Sequence, residues 1–446
     1  MLRLGVGETG TVRARVGALR PRGSLWQNGD FVSVWSAATV SQFGTQVSLL
    51  ALPFVAITTL RATTLEVAAL GVAELVPLLL FGLPAGAWID RVRRRPVMIA
   101  GDVGCATALA SIPGAYAGGV LTIWQLYAVG FVTGSLTMFF DVASQSFLPV
   151  IVPRDGLPGA NAAMQVSGQT AQVGGPGLAG LLVSVLGAPY AVAADAVSYL
   201  GSAAFLARVK KEETAAPKEH RRAMRSEIRE GLAYVLRHPI LRPNLMFTST
   251  ANIFNSILFA VLLLFAVRRL HLSARQVGLV LMIANVGSLA GAVATTRLQR
   301  RFGFGRVMLA TAFGGWALLL IPFASGAGRI PMLAAGLLLW GTAVVIYNAT
   351  SAAISQATTP DRLMSRMAAS RRLIAWGAMP AGTLIGGLLG TYLGLRTTVF
   401  IGAGGRALAG LIILASPVRS IRTLDEAVAL VAAVNPTAMA PEAPPV

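Results

Sequence analysis

The sequence predicts an all-α polytopic membrane protein of twelve transmembrane helices in two pseudo-repeated six-helix bundles. Three observations carry that reading: high apolar content, apolar runs of bilayer length, and a one-sided distribution of charge. The chain of 446 residues is 55% hydrophobic and 12% charged, with a mean hydropathy of +0.67. Soluble domains carry roughly 25% charged residues, and so few polar side chains could not cover several soluble domains of this total length.

Crossing a bilayer core as helix takes about 20 apolar residues. Runs of that order recur at 31–60, 65–89, 97–118, 121–145, 160–186 and 189–207, then at 243–267, 274–296, 305–326, 330–357, 366–391 and 395–415. Gly, Ala, Ser and Pro are frequent in them. In lipid, small residues let helices approach closely, and backbone groups freed by proline find partners inside the protein. A transmembrane barrel would need shorter, alternating segments instead.

The formal net charge is +19, from 37 Lys+Arg against 18 Asp+Glu. Assigned to alternate sides of twelve spans, 30 basic residues fall on the side of the termini and 6 on the other (Arg61, Arg268, Arg269, Arg275, Arg329 and Arg396), while Arg406 lies within the last span. The positive-inside rule then places both termini in the cytoplasm, in a multi-pass plasma (inner) membrane protein. Dispersal over membrane-flanking loops removes the case for nucleic acid as partner. One cysteine, Cys105, excludes a disulfide framework or a Cys-based zinc site. The three histidines, His220, His238 and His271, lack metal-ligand spacing, so no metal or other cofactor is expected. A Gly-Lys-Ser/Thr phosphate loop is missing, which excludes an ATPase in this chain.

The division that follows is a cytoplasmic tail at 1–30, a first bundle at 31–207, a linker at 208–242, a second bundle at 243–415 and a tail at 416–446. Arg3, Arg13, Arg15, Arg20 and Arg22 without an apolar core make 1–30 a poor signal peptide. Within the linker, Met224, Ile228, Leu232 and Val235 form one apolar stripe opposite a basic remainder, as in an interfacial helix or one packed on the protein. The halves repeat weakly. Gly86 before the basic run 91–95 matches Gly291 before Arg297, Arg300 and Arg301, and Pro176 matches Pro380, at offsets of 205 and 204. Parallel duplicated halves that rock about a midplane site have this signature.

At these residues the chain resembles the major facilitator superfamily. Gly86-Ala-Trp-Ile-Asp90-Arg91-Val-Arg93-Arg94-Arg95 is similar to that superfamily's G-x-x-x-D-R-x-G-R-[KR] loop motif, with Arg93 where the consensus has Gly. Ala171-x-x-x-Gly175-Pro176-x-x-Ala179-Gly180 resembles its antiporter motif G-x-x-x-G-P-x-x-G-G, with Ala twice replacing Gly. Segments 147–154, 161–162, 195–199, 227–241 and 416–422 resemble the enterobactin-exporter-like, drug:proton antiporter branch. The resemblance implies a secondary transporter that exports small, partly apolar molecules (siderophore, antibiotic or other drug) by proton-coupled alternating access, as a monomer. The alternatives are an uptake carrier of the same fold, a membrane-embedded enzyme or a non-transporting sensor. An enzyme would need a convergent catalytic cluster, and the carboxylates inside the spans stand apart from one another in sequence.

The resemblance implies a gating role for Gly86, Asp90, Arg91 and Arg94. Physically, arginines in such a turn can clamp carbonyls at neighbouring helix C-termini, where partial negative charge gathers; alternatively they only set topology. Acidic residues inside spans are the usual proton carriers. Glu74 and Asp141 are the coupling candidates, with ion pairing to Arg371 or Arg372 as the structural alternative, while Asp102 and Asp195 sit nearer span ends. Some relatives carry arginine near positions 105 and 168, where this chain has Cys105 and Gly168, so their charge pairs do not carry over. Polar stripes at helical spacing make Gln42, Gln46, Thr137, Gln145, Gln165, Gln169, Thr248, Asn252 and Asn255 cavity-lining candidates, or else interhelical hydrogen-bond glue. The superfamily's architecture sets spans one, four, seven and ten around the cavity. Gly175, Pro176 and Gly180 are the helix-packing motif.

Overall fold

Side-chain caps mark where the helices start. Asn28 accepts hydrogen bonds from the N–H groups of Asp30 and Phe31 at 3.1 and 3.2 Å, and its own amide donates to the Ile151 carbonyl at 2.9 Å. In the computed structural model, which describes residues 25–82, 84–89, 91–211 and 232–434, that cap opens α1 (Gly29–Phe54). A π-helical turn, Val55–Thr59, ends it. The first half continues with α2 (Thr64–Phe81), α3 (Pro84–Ile89), α4 (Arg94–Ala117), α5 (Ile123–Ile151), α6 (Leu157–Leu186) and α7 (Ala188–Ala207). The second half has α8 (Leu241–Leu264) with a π-helical turn at Phe265–Arg269, α9 (Ala274–Phe302) and α10 (Phe304–Ala312), which tightens into a 3-10 helix over Phe313–Phe323. Then come α11 (Arg329–Thr358), α12 (Asp361–Tyr392), α13 (Leu395–Leu414) and a short α14 (Leu424–Val434). Among the described residues there is no strand.

Each apolar run corresponds to helix. The run 65–89 is divided into α2 and α3 between Gly82 and Pro84, because glycine weakens a helix and proline supplies no N–H to continue it. The runs ending at 145 and 296 continue as helix to Ile151 and Phe302, since hydropathy marks the lipid-buried stretch and backbone bonding carries on past it. Among the described residues, eleven helical segments are long and apolar enough to cross a membrane. α6, at 30 residues, is not among them because Asn161, Gln165, Gln169 and Gln172 lower its hydropathy. Length suffices all the same: at about 1.5 Å per residue it exceeds a bilayer core.

The duplication is written in the backbone. The two π-helical turns begin at Val55 and Phe265, 210 residues apart. Each is followed by a capping box, Thr63 with Glu66 and Ser273 with Gln276, at the same offset of 210. Each linking turn carries a non-glycine residue in the left-handed region, Arg61 at φ 53° and His271 at φ 52°.

The halves meet where side chains are smallest. α6 crosses α9 at Gly180, where an added Cβ would lie 2.5 Å from the Ala274 carbonyl oxygen and 3.0 Å from the Gly278 Cα. α2 meets α12 where Ala68 and Leu65 pack on Gly387. These crossings belong to one buried apolar core that takes residues from both halves, including Phe54, Val67, Val183, Phe265, Val277 and Val399. Toward the face carrying the termini, the cores separate. Phe31, Met98 and Phe147 belong to a core of the first half alone, and Met308, Tyr347 and Ile413 to one of the second. The molecule is sealed at one face and divided at the other.

Candidate functional site

Between the separated cores the first half holds a cavity of about 840 Å³. α1 contributes Gln42, Thr45 and Gln46 to its wall, α5 contributes Thr137, Asp141 and Gln145, and α6 contributes Gln165, Gln169 and Gln172. These are i, i+3 and i, i+4 sets, so each helix turns one polar stripe to the same space. Asp141, Gln145 and Gln165 are exposed, whereas Tyr199 and Cys105 at the other end of the cavity are buried. The opening therefore lies toward the face of the termini. The closed end is built by the hydroxyl of Tyr199, 3.1 Å from Thr45 Oγ1 and 3.2 Å from Thr137 Oγ1.

Six of the nine stripe residues, Gln42, Gln46, Thr137, Gln145, Gln165 and Gln169, line this cavity. Thr248, Asn252 and Asn255 on α8 do not. Thr248 Oγ1 donates to the Asn244 carbonyl at 2.8 Å, and Asn252 Nδ2 donates to the Ala375 carbonyl of α12 at 2.7 Å. Asn252 thus bonds between helices, whereas Thr248 bonds back to its own helix. In the second half a hydrogen-bond network joins polar side chains of α8, α11 and α12. Tyr347 Oη donates to Asn244 Oδ1 at 2.6 Å, and Asn244 Nδ2 to Ser351 Oγ at 2.5 Å. Arg371 donates to Ser355 Oγ at 2.9 Å and Ser351 Oγ at 3.2 Å, not to Glu74 or Asp141, and Arg372 lies over the Trp376 ring at 5.8 Å.

The carboxylates fall in three settings. Asp141 stands on the cavity wall. Glu74 lines a separate apolar pocket of about 220 Å³ between the halves, with Val67, Phe259, Val280 and Thr383, and packs against Gly130 of α5. Asp102 and Asp195 are 0% and 1% exposed; Asp102 borders the buried end of the cavity beside Cys105, while Asp195 is not part of its wall. Ser198 Oγ donates to Asp195 Oδ1 at 3.0 Å, while both oxygens of Asp102 and Oδ2 of Asp195 lack a hydrogen-bond partner among the described residues. Their neighbourhood was readable in outline: Asp195 and Tyr199 are one turn apart, as are Asp102 and Cys105. That α4 and α7 turn these pairs toward one another is a tertiary fact.

Of the loop motif, Gly86 lies in α3 and Asp90 lies outside the described residues. Arg91 follows α3 in a turn, its N–H on the Trp88 carbonyl at 3.0 Å, and Arg94 begins α4. A carbonyl clamp is present, and Arg95 makes it: Nε donates to the Leu206 carbonyl at 3.0 Å and Nη2 to the Ala207 carbonyl at 2.7 Å. Those carbonyls end α7, so this clamp ties helices of one half together. In the packing motif, Gly175 sits against the side chain of Gln46, and Gly180 together with the Pro176 carbonyl meets Gly278 across the halves. Of the linker's apolar stripe, Met224 and Ile228 lie outside the described residues, and Val235 is buried beside Leu241, Leu245 and Met367.

Two six-helix halves that share a seal at one face and part at the other around a polar cavity define a transporter of the major facilitator type. Solved structures agree on the fold. A bacterial homologue of the iron transporter ferroportin in an inward-facing state superposes with a TM-score of 0.70 at 16% identity, covering 88% of this chain and 99% of that one. The nucleoside transporter NupG gives 0.68 at 12% identity, covering 86% and 98%. The chain belongs to the transmembrane secretion effector family, whose model matches residues 24–440. Among curated relatives, the multidrug efflux pump Tap of Mycolicibacterium fortuitum is 27% identical over 391 residues, 83% of this chain and 92% of that protein. Tap of Mycobacterium tuberculosis is 27% identical over 408 residues, 87% and 93%. An uncharacterized transporter of the superfamily, YfiS of Bacillus subtilis, is 23% identical over 381 residues, 83% and 89%.

Proposed function

We propose that this transporter exports small, partly apolar molecules out of the cytoplasm in exchange for protons, working as a monomer with both termini inside. The observation that carries this is the cavity: about 840 Å³, open toward the termini, sealed from the opposite face, and lined by amides and hydroxyls interspersed with Leu136, Phe140 and Met164. That volume falls within the range that binds drug-sized ligands, and the mixed wall suits molecules with both apolar and hydrogen-bonding parts. The charge asymmetry in the loops supports placing the open face in the cytoplasm. The likeness to Tap, a multidrug efflux pump, supports export and a drug or antibiotic as cargo; the branch resemblance in the sequence adds siderophores.

Asp141 is the foremost coupling residue in this reading, because of the two acids that border the cavity, Asp141 and Asp102, Asp141 is exposed and Asp102 is buried. Glu74 is the second, at a junction where the halves must slide. The gate is the turn after α3, with Gly86, Asp90, Arg91 and Arg94. The test uses cells loaded with a fluorescent, partly apolar dye. Collapsing the proton gradient abolishes efflux, and Asp141→Asn does the same while Asp155→Asn in an exposed loop does not. Efflux that persists without a gradient sinks proton coupling.

A further inference from the structure

The face opposite the termini is poor in charge, yet three of its six basic residues converge on one concavity. Arg269, Arg329 and Arg396, with His271, Phe265 and Ser325, line a pocket of about 240 Å³ built entirely from the second half. Two of the guanidinium groups are pinned by the fold. Arg329 Nη1 donates to the Leu270 carbonyl at 2.8 Å, and Arg396 Nε donates to the Pro322 carbonyl at 2.7 Å. Pinning one N–H fixes the plane of the fork and leaves its other donors for a ligand.

Among the described residues, nothing acidic answers this charge. Between residues 243 and 415 the chain has one carboxylate, Asp361, at the start of α12 and so at the other face. In the first half the acid nearest this face is Glu66, whose Oε2 is committed to the Thr63 N–H at 2.6 Å and hydroxyl at 2.9 Å in a capping box. The duplication supplies an internal control. The last residue of the first π-helical turn is Thr59 where the second has Arg269. Likewise the first residue of α5 is Ile123 where α11 has Arg329, and the second residue of α7 is Pro189 where α13 has Arg396. The left-handed turn is common to both halves, with Arg61 at the place of His271, but none of the three converging arginines has a basic counterpart in the first half. Arg329 and Arg396 also sit in the first turns of their helices, where backbone N–H groups add to the positive potential.

We infer that this pocket binds a phosphate group, drawn either from a phospholipid headgroup of the adjoining leaflet or from solution. Its volume lies below the usual range for drug-sized ligands, and guanidinium forks match phosphate oxygens in pairs. A bound phosphate would tie the loops 268–273, 324–329 and 394–396 into one cap over the second half. This assignment is independent of cargo and of proton coupling.

The test is thermal unfolding of the full-length protein, purified in an uncharged detergent. Inorganic phosphate is compared with chloride at matched ionic strength and, in a second arm, phosphatidylglycerol with phosphatidylcholine. Phosphate at tenfold its Kd should raise Tm by roughly 1.5 °C in a saturable way, the shift expected of about 1.4 kcal/mol of linkage on a chain of this length. A rise with phosphatidylglycerol that abolishes the inorganic response assigns the headgroup as ligand. A rise with inorganic phosphate alone assigns the soluble ion. In both cases R329Q/R396Q loses the response. R269Q, which breaks no hydrogen bond among the described residues, weakens it and covers the case in which the double variant does not fold. No shift beyond chloride in either arm, or an undiminished response in R269Q and R329Q/R396Q, overturns the assignment.

Discussion

Gly180→Ala tests the seal most directly. An added Cβ would stand 2.5 Å from the Ala274 carbonyl oxygen, where ordinary contact begins at 3.4 Å, and 3.0 Å from the Gly278 Cα. The obstacle is backbone, so no side chain can swing aside, and α6 and α9 must separate by most of an ångström. Overpacking of this kind costs about 1–3 kcal/mol. The strain exists only while the two helices cross closely, so it acts against the sealed state and shifts the equilibrium roughly 5- to 150-fold toward the open one. A cysteine placed at Ala68, 1% exposed and packed on Gly387 in the same seal, reports the change. In a Cys105→Ala background, a membrane-impermeant maleimide applied at the face opposite the termini should label Ala68→Cys at least about fivefold faster when Gly180 is Ala. Gly404→Ala, whose Cβ would meet nothing within 4 Å, should leave the rate unchanged. Equal labelling in the Gly180 and Gly404 variants would refute the claim that backbone contact at Gly180 holds the seal.

Three further outcomes follow from the geometry. Arg95→Ala removes two charged hydrogen bonds from the end of α7 and should cost roughly 2 kcal/mol, read as a lower Tm, with Arg95→Lys recovering part of the loss. Arg406, 2% exposed, donates to the Ala312 carbonyl at 2.9 Å where α10 tightens to 3-10, and lies over the Phe247 ring at 4.9 Å. Arg406→Ala should therefore lose roughly 3 kcal/mol, and Arg406→Met, which keeps the volume, clearly less; equal losses would mean packing is irrelevant there. His238, in the linker before α8, accepts from the N–H groups of Ile240 and Leu241, and burial pushes its imidazole down to about 4. The unfolded chain then binds the proton first, near pH 6.5, so stability is complete above that value and falls as pH drops toward 4, by up to about 3 kcal/mol. His238→Asn keeps an acceptor for the helix start and should flatten that dependence in a pH series of melting curves.

Residues 160–186 show how much was legible and where legibility ended. Glutamines at spacings of four and three mark a helix face withheld from lipid, and Gln165 and Gln169 indeed line the cavity. The same argument gave Thr248, Asn252 and Asn255 equal standing. The spacing is as good there, but Asn252 is held by the Ala375 carbonyl, and whether a polar stripe meets a cavity or a neighbouring helix depends on what that neighbour presents. The clamp is a parallel case. A run of arginines after a helix predicts capture of carbonyls, whereas the choice of Arg95 follows from where α7 ends. For Asp102 and Asp195, position along the span suggested a hydrated site near a helix end, while burial depends on packing between α4 and α7.

By itself the sequence determined the spans, the charge asymmetry, the duplication and the superfamily, because each is a one-dimensional property: run length, sign and repeat offset. Tertiary structure decided which polar stripes share a cavity, that Asn244, Tyr347 and Ser351 of the second half join in one hydrogen-bond network, and that three of the six arginines facing away from the termini meet in one pocket. Periodicity fixes the side of a helix on which a residue lies. What stands opposite is set by close backbone approach at glycines such as Gly180, Gly278 and Gly387, whose partners lie on other helices, mostly about 100 or more residues away in sequence.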